Sequence, residues 1–282
     1  MEKIKLNNGI EMPIIGLGTY LLTPDEAEKS VITALANGYT LIDTANAYVN
    51  EKAVGRGIKA SGKARNEIFL ETKLWPAFYE DDLQIDKTLE RLDTDYIDLM
   101  ILHQPAGNII AGYRQLEKAY KEGKLKAIGV SNFKTDELKQ LLEVCEIKPM
   151  INQVEAHPYY PQTELREFMD KNDIAIQAWY PLGGRGNSSI INEAIIKELA
   201  QKYDKSPAQI VIRWHIQKGI IVIPGSKTDS HVIDNINVFD FALTEDDMKK
   251  ISSLQKTEPI FIRQPGMLEK FAEWTPDVYG QK

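Results

Sequence analysis

The sequence predicts a single (β/α)8 barrel, in which eight parallel strands alternate with helices. Eight short apolar runs recur along the chain, and amphipathic, charge-rich segments separate them. Most runs are apolar on both faces, as expected for parallel strands that helices cover. The length of 282 residues also suits one such barrel, which typically has ~250 residues. The predicted strands span residues 14–19, 40–44, 68–73, 97–103, 127–132, 150–155, 174–179 and 219–225.

Three ionisable residues end successive apolar runs at equal intervals. Asp43, Lys73 and His103 follow one another at a spacing of 30 residues, about the length of one strand, one helix and their loops. If these runs are neighbouring parallel strands, the three side chains lie side by side at the rim where barrel active sites form. Tyr48 joins them, because it lies on the loop that leaves the second strand.

These four side chains can form a proton donor. A free tyrosine has a pKa of ~10, and a nearby ammonium lowers that pKa because it stabilises the phenolate. We expect Lys73 to lower the pKa of Tyr48, and Asp43 to pair with Lys73 so that its burial is tolerable. His103 would hold and polarise a carbonyl oxygen. From these residues alone, a structural ion pair, a satisfied strand-end histidine and ordinary tyrosine packing remain open.

Turn and capping residues mark the ends of the predicted elements. Residues 1–13 predict a hairpin around Asn7-Asn8-Gly9. The tail, residues 257–282, carries four aromatic side chains and is expected to pack over or beside the barrel mouth. Residues 1–282 are therefore interpreted as one barrel domain. Helix starts are predicted after Thr23, Ser206 and Thr244, and helix ends before Gly38, Gly123 and Gly219.

Composition limits the classes of partner. The net charge of −7 argues against nucleic acid or an anionic membrane as a main partner. Cys145 is the only cysteine, which excludes an internal disulfide and fits a reducing compartment. No stretch reaches the ~18 apolar residues of a membrane span, and the N-terminus has no apolar signal region. We expect a cytoplasmic monomer, and no metal site because no short two-histidine motif occurs.

At these residues the chain closely resembles the aldo-keto reductase superfamily, in the bacterial branch similar to 2,5-diketo-gluconate reductases. Several separated motifs occur in the family's order and together cover about residues 4–257. They are Gly16-Leu17-Gly18-Thr19, GYTLIDTANAYVNE (38–51), Thr72-Lys73, Leu102-His103, IGVSNF (128–133), NQVEAHP (152–158), IQAWYPLG (176–183) and VIPGS (222–226).

The resemblance implies reduction of aldehydes or ketones by hydride from a nicotinamide dinucleotide, bound without a Rossmann domain. Tyr48 would be the general acid, Lys73 and Asp43 would tune it, and His103 would orient the carbonyl. Ser131, Asn132 and Gln153 would bind the carboxamide, and Leu182 and the loop after it would cover the pyrophosphate. All implied cofactor positions are Thr19, Tyr20, Asp43, Ser131, Asn132, Gln153, Trp179, Tyr180, Leu182, Gly225, Ser226, Lys227, His231, Asp234 and Asn235.

One departure from the family pattern concerns the 2′-phosphate of NADPH. The family commonly places Lys and Arg there, where this chain has Gly225 and His231. Losing both cations should weaken discrimination for NADPH by ~2–4 kcal/mol, at ~1.5–3 kcal/mol per charge-assisted bond with partial compensation. We expect NADPH to bind and NADH to be accepted as well. The alternative is that Lys227 alone restores selectivity for NADPH.

The expected substrate pocket is small and partly polar. Tyr20, Trp75, His103 and Gln104 should line it, and the family commonly has Trp where Gln104 stands. Small aldehydes, dicarbonyls or keto-sugars are the expected substrates. Two other classes remain open. One is a cofactor-binding sensor or regulatory subunit of the same fold without turnover. The other is an isomerase or aldolase that uses Lys73 as a Schiff base.

Overall fold

The computed structural model describes residues 1–183 and 190–281. Its main body is an eight-stranded parallel sheet whose strands pair in chain order, and an antiparallel pair precedes it. The antiparallel pair is β1 (Lys3–Lys5) and β2 (Glu11–Pro13). The sheet contains β3 (Gly16–Gly18), β4 (Leu41–Asp43), β5 (Phe69–Leu74), β6 (Leu99–Leu102), β7 (Ile128–Ser131), β8 (Ile151–Glu155), β9 (Ala175–Trp179) and β10 (Ile221–Val222).

The sheet closes into a barrel between its first and last strands. Ile15 forms a parallel bridge with Val222, and the Val222 amide donates to the Ile14 carbonyl at 3.0 Å. The predicted barrel is therefore confirmed, with each strand inside its predicted range or extended by one residue. The last strand is the shortest because Pro224 has no amide hydrogen to donate to a ladder. Its carbonyl still accepts from Gly18 at 3.4 Å.

Helices cover the outside of the barrel and follow the strands in alternation. Among the described residues, two helices lie between β9 and β10, and three follow β10. They are α1 (Pro24–Ala36), α2 (Glu51–Ala60), α3 (Gln84–Leu92), α4 (Ile109–Lys121), α5 (Thr135–Val144), α6 (Thr163–Asp170), α7 (Ala194–Tyr203), α8 (Pro207–Gln217), α9 (Asp229–Ile236), α10 (Glu245–Ser252) and α11 (Met267–Glu273).

The predicted helix caps are confirmed at each of the three starts. The hydroxyls of Thr23, Ser206 and Thr244 each accept from the amide three residues later. Two of these caps are capping boxes, because the side chains of Glu26 and Gln209 accept hydrogen bonds from the backbone amides of Thr23 and Ser206. The predicted terminal glycines all have positive φ, at 94° for residue 38, 77° for residue 123 and 68° for residue 219.

The N-terminal hairpin lies at the end of the barrel opposite the rim that carries Asp43. Asn7 donates its side-chain amide to the carbonyls of Pro149 and Asp173, both at 3.1 Å. Asn8 donates to the carbonyl of Lys126 at 3.0 Å. These three acceptors immediately precede strands β8, β9 and β7. The hairpin therefore covers the amino-terminal ends of the strands and leaves the carboxyl-terminal rim to other segments.

The C-terminal tail follows α10 and is anchored to the rim and to the outer helices. The Glu155 carboxylate accepts from the Ile260 amide at 2.6 Å and from the Phe261 amide at 3.0 Å. Farther along, Trp274 accepts through its carbonyl from the Trp75 indole at 2.8 Å. Gln281 accepts from the Lys52 amide at 3.1 Å. These contacts bring the tail to the carboxyl-terminal ends of β5 and β8.

Cys145 ends α5 with a half-buried side chain and a free thiol. Burial raises the pKa of this thiol, and the Glu117 charge adds to the rise. This environment disfavours the reactive thiolate. Among the described residues, no helix combines the length and the apolar character needed to cross a membrane.

A buried ion pair joins the first helices to the barrel and allows a stability test. Arg91 on α3 donates to Glu51 on α2 at 2.6 Å, and the Thr72 hydroxyl of β5 donates to the same carboxylate at 2.8 Å. Replacing Arg91 with Met leaves Glu51 buried without its cation. We expect this change to lower the free energy of unfolding by about 3–5 kcal/mol, measured by urea denaturation at pH 7.

The double variant Arg91→Met/Glu51→Met should recover most of that loss, because neither charge then stays buried alone. The exposed pair Lys59–Asp93 provides the control, with side chains 77% and 70% exposed. Lys59→Met should change the free energy of unfolding by less than about 1 kcal/mol. Equal losses at Arg91 and Lys59 would contradict the burial argument.

Candidate active site

Asp43 and Lys73 form a buried ion pair at the carboxyl ends of β4 and β5. The Lys73 ammonium donates to an Asp43 carboxylate oxygen and to the Thr44 carbonyl at 2.9 Å. The Lys73 side chain is fully buried, and that of Asp43 is 2% exposed. A charge removed from water this completely needs a partner of opposite sign. The predicted pairing of Asp43 with Lys73 is present in the structure.

Tyr48 lies above this ion pair on a single turn of 3-10 helix, Asn46–Tyr48, that follows β4. The Lys73 ammonium nitrogen lies 5.0 Å from the centroid of the Tyr48 ring. The Trp75 amide donates to the Asn46 side chain at 3.1 Å, which ties this turn to the end of β5. The structure therefore brings Tyr48 to the lysine, as the spacing predicts.

His103 faces Tyr48 from the end of β6. The two ring centroids are 5.5 Å apart in an edge-to-face arrangement, and Trp75 packs edge-on against His103 at 5.0 Å. The His103 side chain is buried, at 8% exposure for the residue. Asp43, Tyr48, Lys73 and His103 thus lie together at one rim, as the 30-residue spacing predicts.

The electrostatics of Tyr48 differ from the sequence-based expectation. Burial raises the pKa of Tyr48 well above its ordinary value, and the charge of Lys73 opposes this rise only in part. The negative charge of Asp43 adds to the rise. The expectation that Lys73 lowers this pKa below its ordinary value is wrong, because desolvation of the phenolate outweighs one ammonium. Tyr48 therefore holds its proton at neutral pH.

Lys73 is charged and His103 is neutral, although burial lowers the pKa of both side chains. Burial lowers the pKa of Lys73, but the neighbouring acidic groups, led by Asp43, more than reverse that effect, so its pKa is raised. Burial and the Lys73 charge hold the pKa of His103 well below its usual range. His103 is therefore neutral. Its Nδ1 atom meets no hydrogen-bond partner in the described ranges, which favours a proton on Nε2, since a buried N–H without an acceptor is rarely tolerated.

A second layer of polar side chains lies in the barrel interior beneath the ion pair. The Gln153 amide nitrogen donates to Asp43 at 3.2 Å, to Glu71 at 3.0 Å and to the Gln177 oxygen at 3.0 Å. Gln177 in turn donates to Glu71 at 2.7 Å. Burial and the Asp43 charge raise the pKa of Glu71 to about 8. Gln153 thus lies beside the ion pair, linked to a carboxyl that the sequence analysis did not include.

Ser131, Asn132 and Trp179 form a connected group at the ends of β7 and β9. The Ser131 hydroxyl donates to the Gln153 carbonyl at 2.9 Å and accepts from the Asn132 amide at 3.0 Å. Asn132 also donates to the His103 carbonyl at 3.1 Å and accepts from the Trp179 indole at 2.8 Å. Its φ of 66° is in the left-handed region, which asparagine tolerates. These residues lie next to His103.

The other predicted cofactor positions near this rim are Thr19, Tyr20, Tyr180 and Leu182. The buried Thr19 hydroxyl donates to the Asp43 carbonyl at 2.9 Å, so it holds the rim together. Tyr20 is 63% exposed, and its ring lies 5.0 Å from that of Tyr48. Tyr180 has a positive φ of 62° and is 37% exposed. Leu182 packs against the hydrophobic core. The remainder of the predicted pyrophosphate loop, residues 184–189, lies outside the described residues.

The predicted adenosine end follows β10. Gly225 approaches Gly18 so closely that a Cβ atom would lie 2.6 Å from the Gly18 carbonyl oxygen. The Ser226 hydroxyl accepts from the Thr228 amide at 3.0 Å. Lys227 is 68% exposed and forms an ion pair with Glu26 at 3.1 Å. A cation is therefore present, but a carboxylate of α1 already neutralises it.

The other three adenosine-end positions lie on α9. His231 is exposed. Asp234 accepts from the Ser206 hydroxyl at 2.6 Å, so it already takes part in the junction with α8. Asn235 is buried, at 5% exposure. Of these three, His231 is the most accessible to a ligand.

Aromatic side chains wall the space above Tyr48 and His103. Trp75 contacts two tail residues edge-on, with its ring centroid 5.3 Å from Phe271 and 5.0 Å from Trp274. Gln104 is half-buried, and its backbone is held by the Tyr79 hydroxyl, which donates to its carbonyl at 2.7 Å. The tail was expected to pack over or beside the barrel mouth, but Phe271 and Trp274 were not assigned to the pocket, because only their aromatic character indicated that they pack.

A family model described as the aldo/keto reductase family matches residues 14–256. The chain belongs to the aldo/keto reductase family. It is 44% identical to a glyoxal reductase of Bacillus subtilis (strain 168), over 92% of this chain and 95% of that one. It is 39% identical to the methylglyoxal reductase DkgA of Yersinia pestis, over 89% and 92%. The chain is therefore an oxidoreductase.

A solved structure agrees with this assignment. The aldo-keto reductase MGS-M4, from a Medee basin deep-sea metagenome library, superposes with a TM-score of 0.89 at 44% identity. The match covers 92% of this chain and 97% of that one. The resemblance that the sequence motifs predict, and the barrel they imply, are both confirmed.

In this aldo/keto reductase, two carboxylates near the site were missed from the sequence. Glu71 lies two residues before Lys73 on β5, and side chains two apart on a strand share a face. That alternation could have indicated Glu71. Glu155 follows Gln153 by the same spacing, and it anchors the tail through two backbone amides.

Anchoring of the tail at Trp75 can be tested without altering the reacting groups. Trp75→Phe keeps an aromatic ring but removes the indole N–H that donates to the Trp274 carbonyl at 2.8 Å. One lost hydrogen bond of about 1 kcal/mol should raise the open population of the tail about fivefold. Trypsin cleavage after Lys270 should therefore accelerate by a similar factor, followed by mass spectrometry.

The control is Trp214→Phe, which removes an indole bond to Ser252 at 3.3 Å, away from the tail. It should leave the rate of cleavage after Lys270 unchanged under native conditions. Equal acceleration in both variants would indicate general destabilisation instead of local release of the tail.

Proposed function

We propose that this protein reduces small aldehydes, dicarbonyls or keto-sugars to alcohols with NAD(P)H, and that Tyr48 donates the proton. One observation carries the proposal. The phenol of Tyr48 is placed between the buried ammonium of Lys73 and the neutral ring of His103. Two hydrogen-bond donors and a cation thus face the space in which a carbonyl oxygen becomes an alkoxide.

The state of each side chain suits carbonyl reduction. Tyr48 keeps its proton at neutral pH because burial raises its pKa. The proton can leave when an alkoxide forms beside it, since Lys73 stabilises the resulting phenolate. His103 is neutral and can donate from Nε2 to the carbonyl oxygen without adding a charge. Asp43 keeps Lys73 charged throughout.

The donor set at the ends of β7, β8 and β9 suits a nicotinamide. Ser131 and Asn132 supply a hydroxyl and an amide, Gln153 supplies a second amide, and Trp179 supplies an aromatic face. A hydroxyl and two amides beside an indole match a carboxamide on an aromatic ring. When bound, the cofactor supplies the hydride, which is chemistry that no side chain here can provide. The residues present therefore fit the group.

The aromatic and polar side chains beside His103 support the proposed substrate class. Trp75, Phe271 and Trp274 form one aromatic wall, and Gln104 adds a polar group next to His103. A small carbonyl compound with further oxygens can pack against the aromatic wall and form a hydrogen bond with Gln104. The names of two relatives, glyoxal reductase and methylglyoxal reductase, point to the same class for those proteins.

The other two interpretations fit less well. A Schiff base requires a neutral amine, but the pKa of Lys73 is raised by its acidic neighbours. A sensor without turnover needs no proton donor, yet contacts connect Asp43 to Lys73, Lys73 to Tyr48 and Tyr48 to His103 at the rim.

Tyr48→Phe tests the role of the proton donor. The variant keeps the ring and removes the hydroxyl. We expect turnover of methylglyoxal with NADPH, followed at 340 nm, to fall by about 100- to 10,000-fold, the usual contribution of a general acid. The dissociation constant for NADPH, measured by quenching of tryptophan fluorescence, should change less than about threefold.

Tyr96→Phe is the matched control, because its ring packs against Arg65 and Lys126 away from the rim. It should keep wild-type turnover. Retained activity in Tyr48→Phe would remove Tyr48 from the mechanism. Loss of NADPH binding in the same variant would mean that the hydroxyl serves binding instead of proton transfer.

Cofactor preference is proposed to be relaxed, with NADPH and NADH both used. Gly225 and His231 replace the family's cations, and the remaining cations are paired. Lys227 binds Glu26, and Lys29 binds Asp229 at 2.8 Å. A 2′-phosphate must compete with these carboxylates for each ammonium.

The kcat/KM values for NADPH and NADH should therefore differ by less than about a hundredfold, in line with the loss of one or two charge-assisted bonds. Glu26→Gln frees Lys227 and should shift the ratio toward NADPH by a few-fold. Asp25→Asn, an exposed neighbour on α1, is the control and should not. A wild-type preference for NADPH above about a thousandfold would contradict the proposal.

A further inference from the structure

Glu71 is a fully buried carboxyl in the barrel interior, beneath the Asp43–Lys73 ion pair. It lies on β5 two residues before Lys73 and directly opposite Asp43 on β4 in the strand register. Two acidic side chains therefore meet in the interior with one ammonium beside them. Burying a carboxyl is costly unless it has specific partners. Its hydrogen-bond partners are two amides, those of Gln153 and Gln177.

These contacts determine which way the Gln153 amide faces. Its nitrogen lies 3.2 Å from an Asp43 oxygen, 3.0 Å from a Glu71 oxygen and 3.0 Å from the Gln177 amide oxygen. When Glu71 is ionised, all three neighbours are acceptors, and an amide oxygen in the same place would meet only lone pairs. The nitrogen therefore points into the barrel, and the Gln153 oxygen lies on the other branch of the amide.

We propose that Glu71 is a positioning residue of the cofactor site: together with Asp43 it fixes the amide of Gln153 so that its oxygen accepts from the N–H of a nicotinamide carboxamide. This inference rests on the proposed function, because that function brings the nicotinamide to Gln153. Glu71 itself does not touch the cofactor. It acts through the orientation of one amide, and so governs how strongly the enzyme distinguishes a carboxamide from a group without N–H.

The charge state of Glu71 should modulate this effect. The charged groups that face it are Asp43 on β4 and Lys73 on its own strand, and its pKa is raised to about 8. Below that pH the carboxyl holds a proton and could donate to a reversed Gln153 amide. Above that pH, both Glu71 oxygens can only accept hydrogen bonds. The orientation of Gln153 should therefore be fixed more strongly at pH 9 than at pH 7.

The test compares two ligands that differ only in the carboxamide. The probes are NADP+ and its acetylpyridine analogue, in which a methyl ketone replaces the carboxamide and no N–H remains. Dissociation constants are measured by titration calorimetry at pH 7 and pH 9. The proteins are wild type, Glu71→Gln, Glu71→Met and, as control, Glu117→Gln. Glu117 is also a buried carboxylate, but it accepts from the Glu146 amide on the outside of the barrel.

Wild type should bind NADP+ about tenfold more tightly than the analogue, the effect of one hydrogen bond whose buried acceptor is otherwise left unpaired. This ratio should rise from pH 7 to pH 9. In Glu71→Gln and Glu71→Met it should fall to about two- to threefold and lose its pH dependence, since Asp43 alone then orients Gln153. The Glu117→Gln control should keep the wild-type ratio.

The outcomes separate this inference from the proposed function. If Glu71 only supported the fold, its variants would weaken both ligands equally and leave the ratio unchanged, which would overturn the inference. A wild-type ratio near one would overturn it as well, and neither result affects the proposed reduction. If wild type bound neither ligand, both proposals would fall. The pH comparison in wild type decides the question even if the Glu71 variants do not fold.

Discussion

The buried ion pair between Lys73 and Asp43 is the interaction on which the rest of the site depends. The ammonium has no exposure to water, so its charge acts on its neighbours through a medium that screens weakly. Asp43 keeps that charge in place, and Tyr48 and His103 are within its reach. Without the carboxylate, burial would neutralise the lysine, and no cation would remain to stabilise a phenolate.

Burial favours the neutral form of both Tyr48 and His103. Desolvation disfavours the charged form of every group, so it raises the pKa of a phenol and lowers that of an imidazole. Tyr48 is therefore protonated, and His103 is neutral. The charge of Lys73, on which the expectation for Tyr48 rested, acts against burial at Tyr48 but with it at His103. Burial in the barrel, together with the nearby charges, therefore keeps both side chains in the neutral form.

The strands, caps and rim residues could be predicted because each depends on local pattern. Apolar runs gave the eight strands, and the spacing of Asp43, Lys73 and His103 gave the rim, since parallel strands of equal period align their ends. Glu71 could not be assigned a role in this way, because its effect depends on Gln153 and Gln177, 82 and 106 residues away. The tail was expected to pack over or beside the barrel mouth, but its individual partners could not be predicted. Its contacts with Trp75 join residues 199 apart, and no periodic pattern relates them.

The two ends of the proposed cofactor site differ in how much stability a substitution of a charged residue costs. At the reaction end the charges are buried, so removing one partner leaves another uncompensated at a cost of several kcal/mol. At the adenosine end, Lys227 and Glu26 are partly exposed, and solvent and salt screen them. Substitution of Lys227 or Glu26 should therefore cost little stability. Gly225 and His231 stand where the family commonly has cations, and these positions take no part in the ion pair beside Tyr48. The proposed cofactor preference can therefore vary while the proposed proton donor is kept.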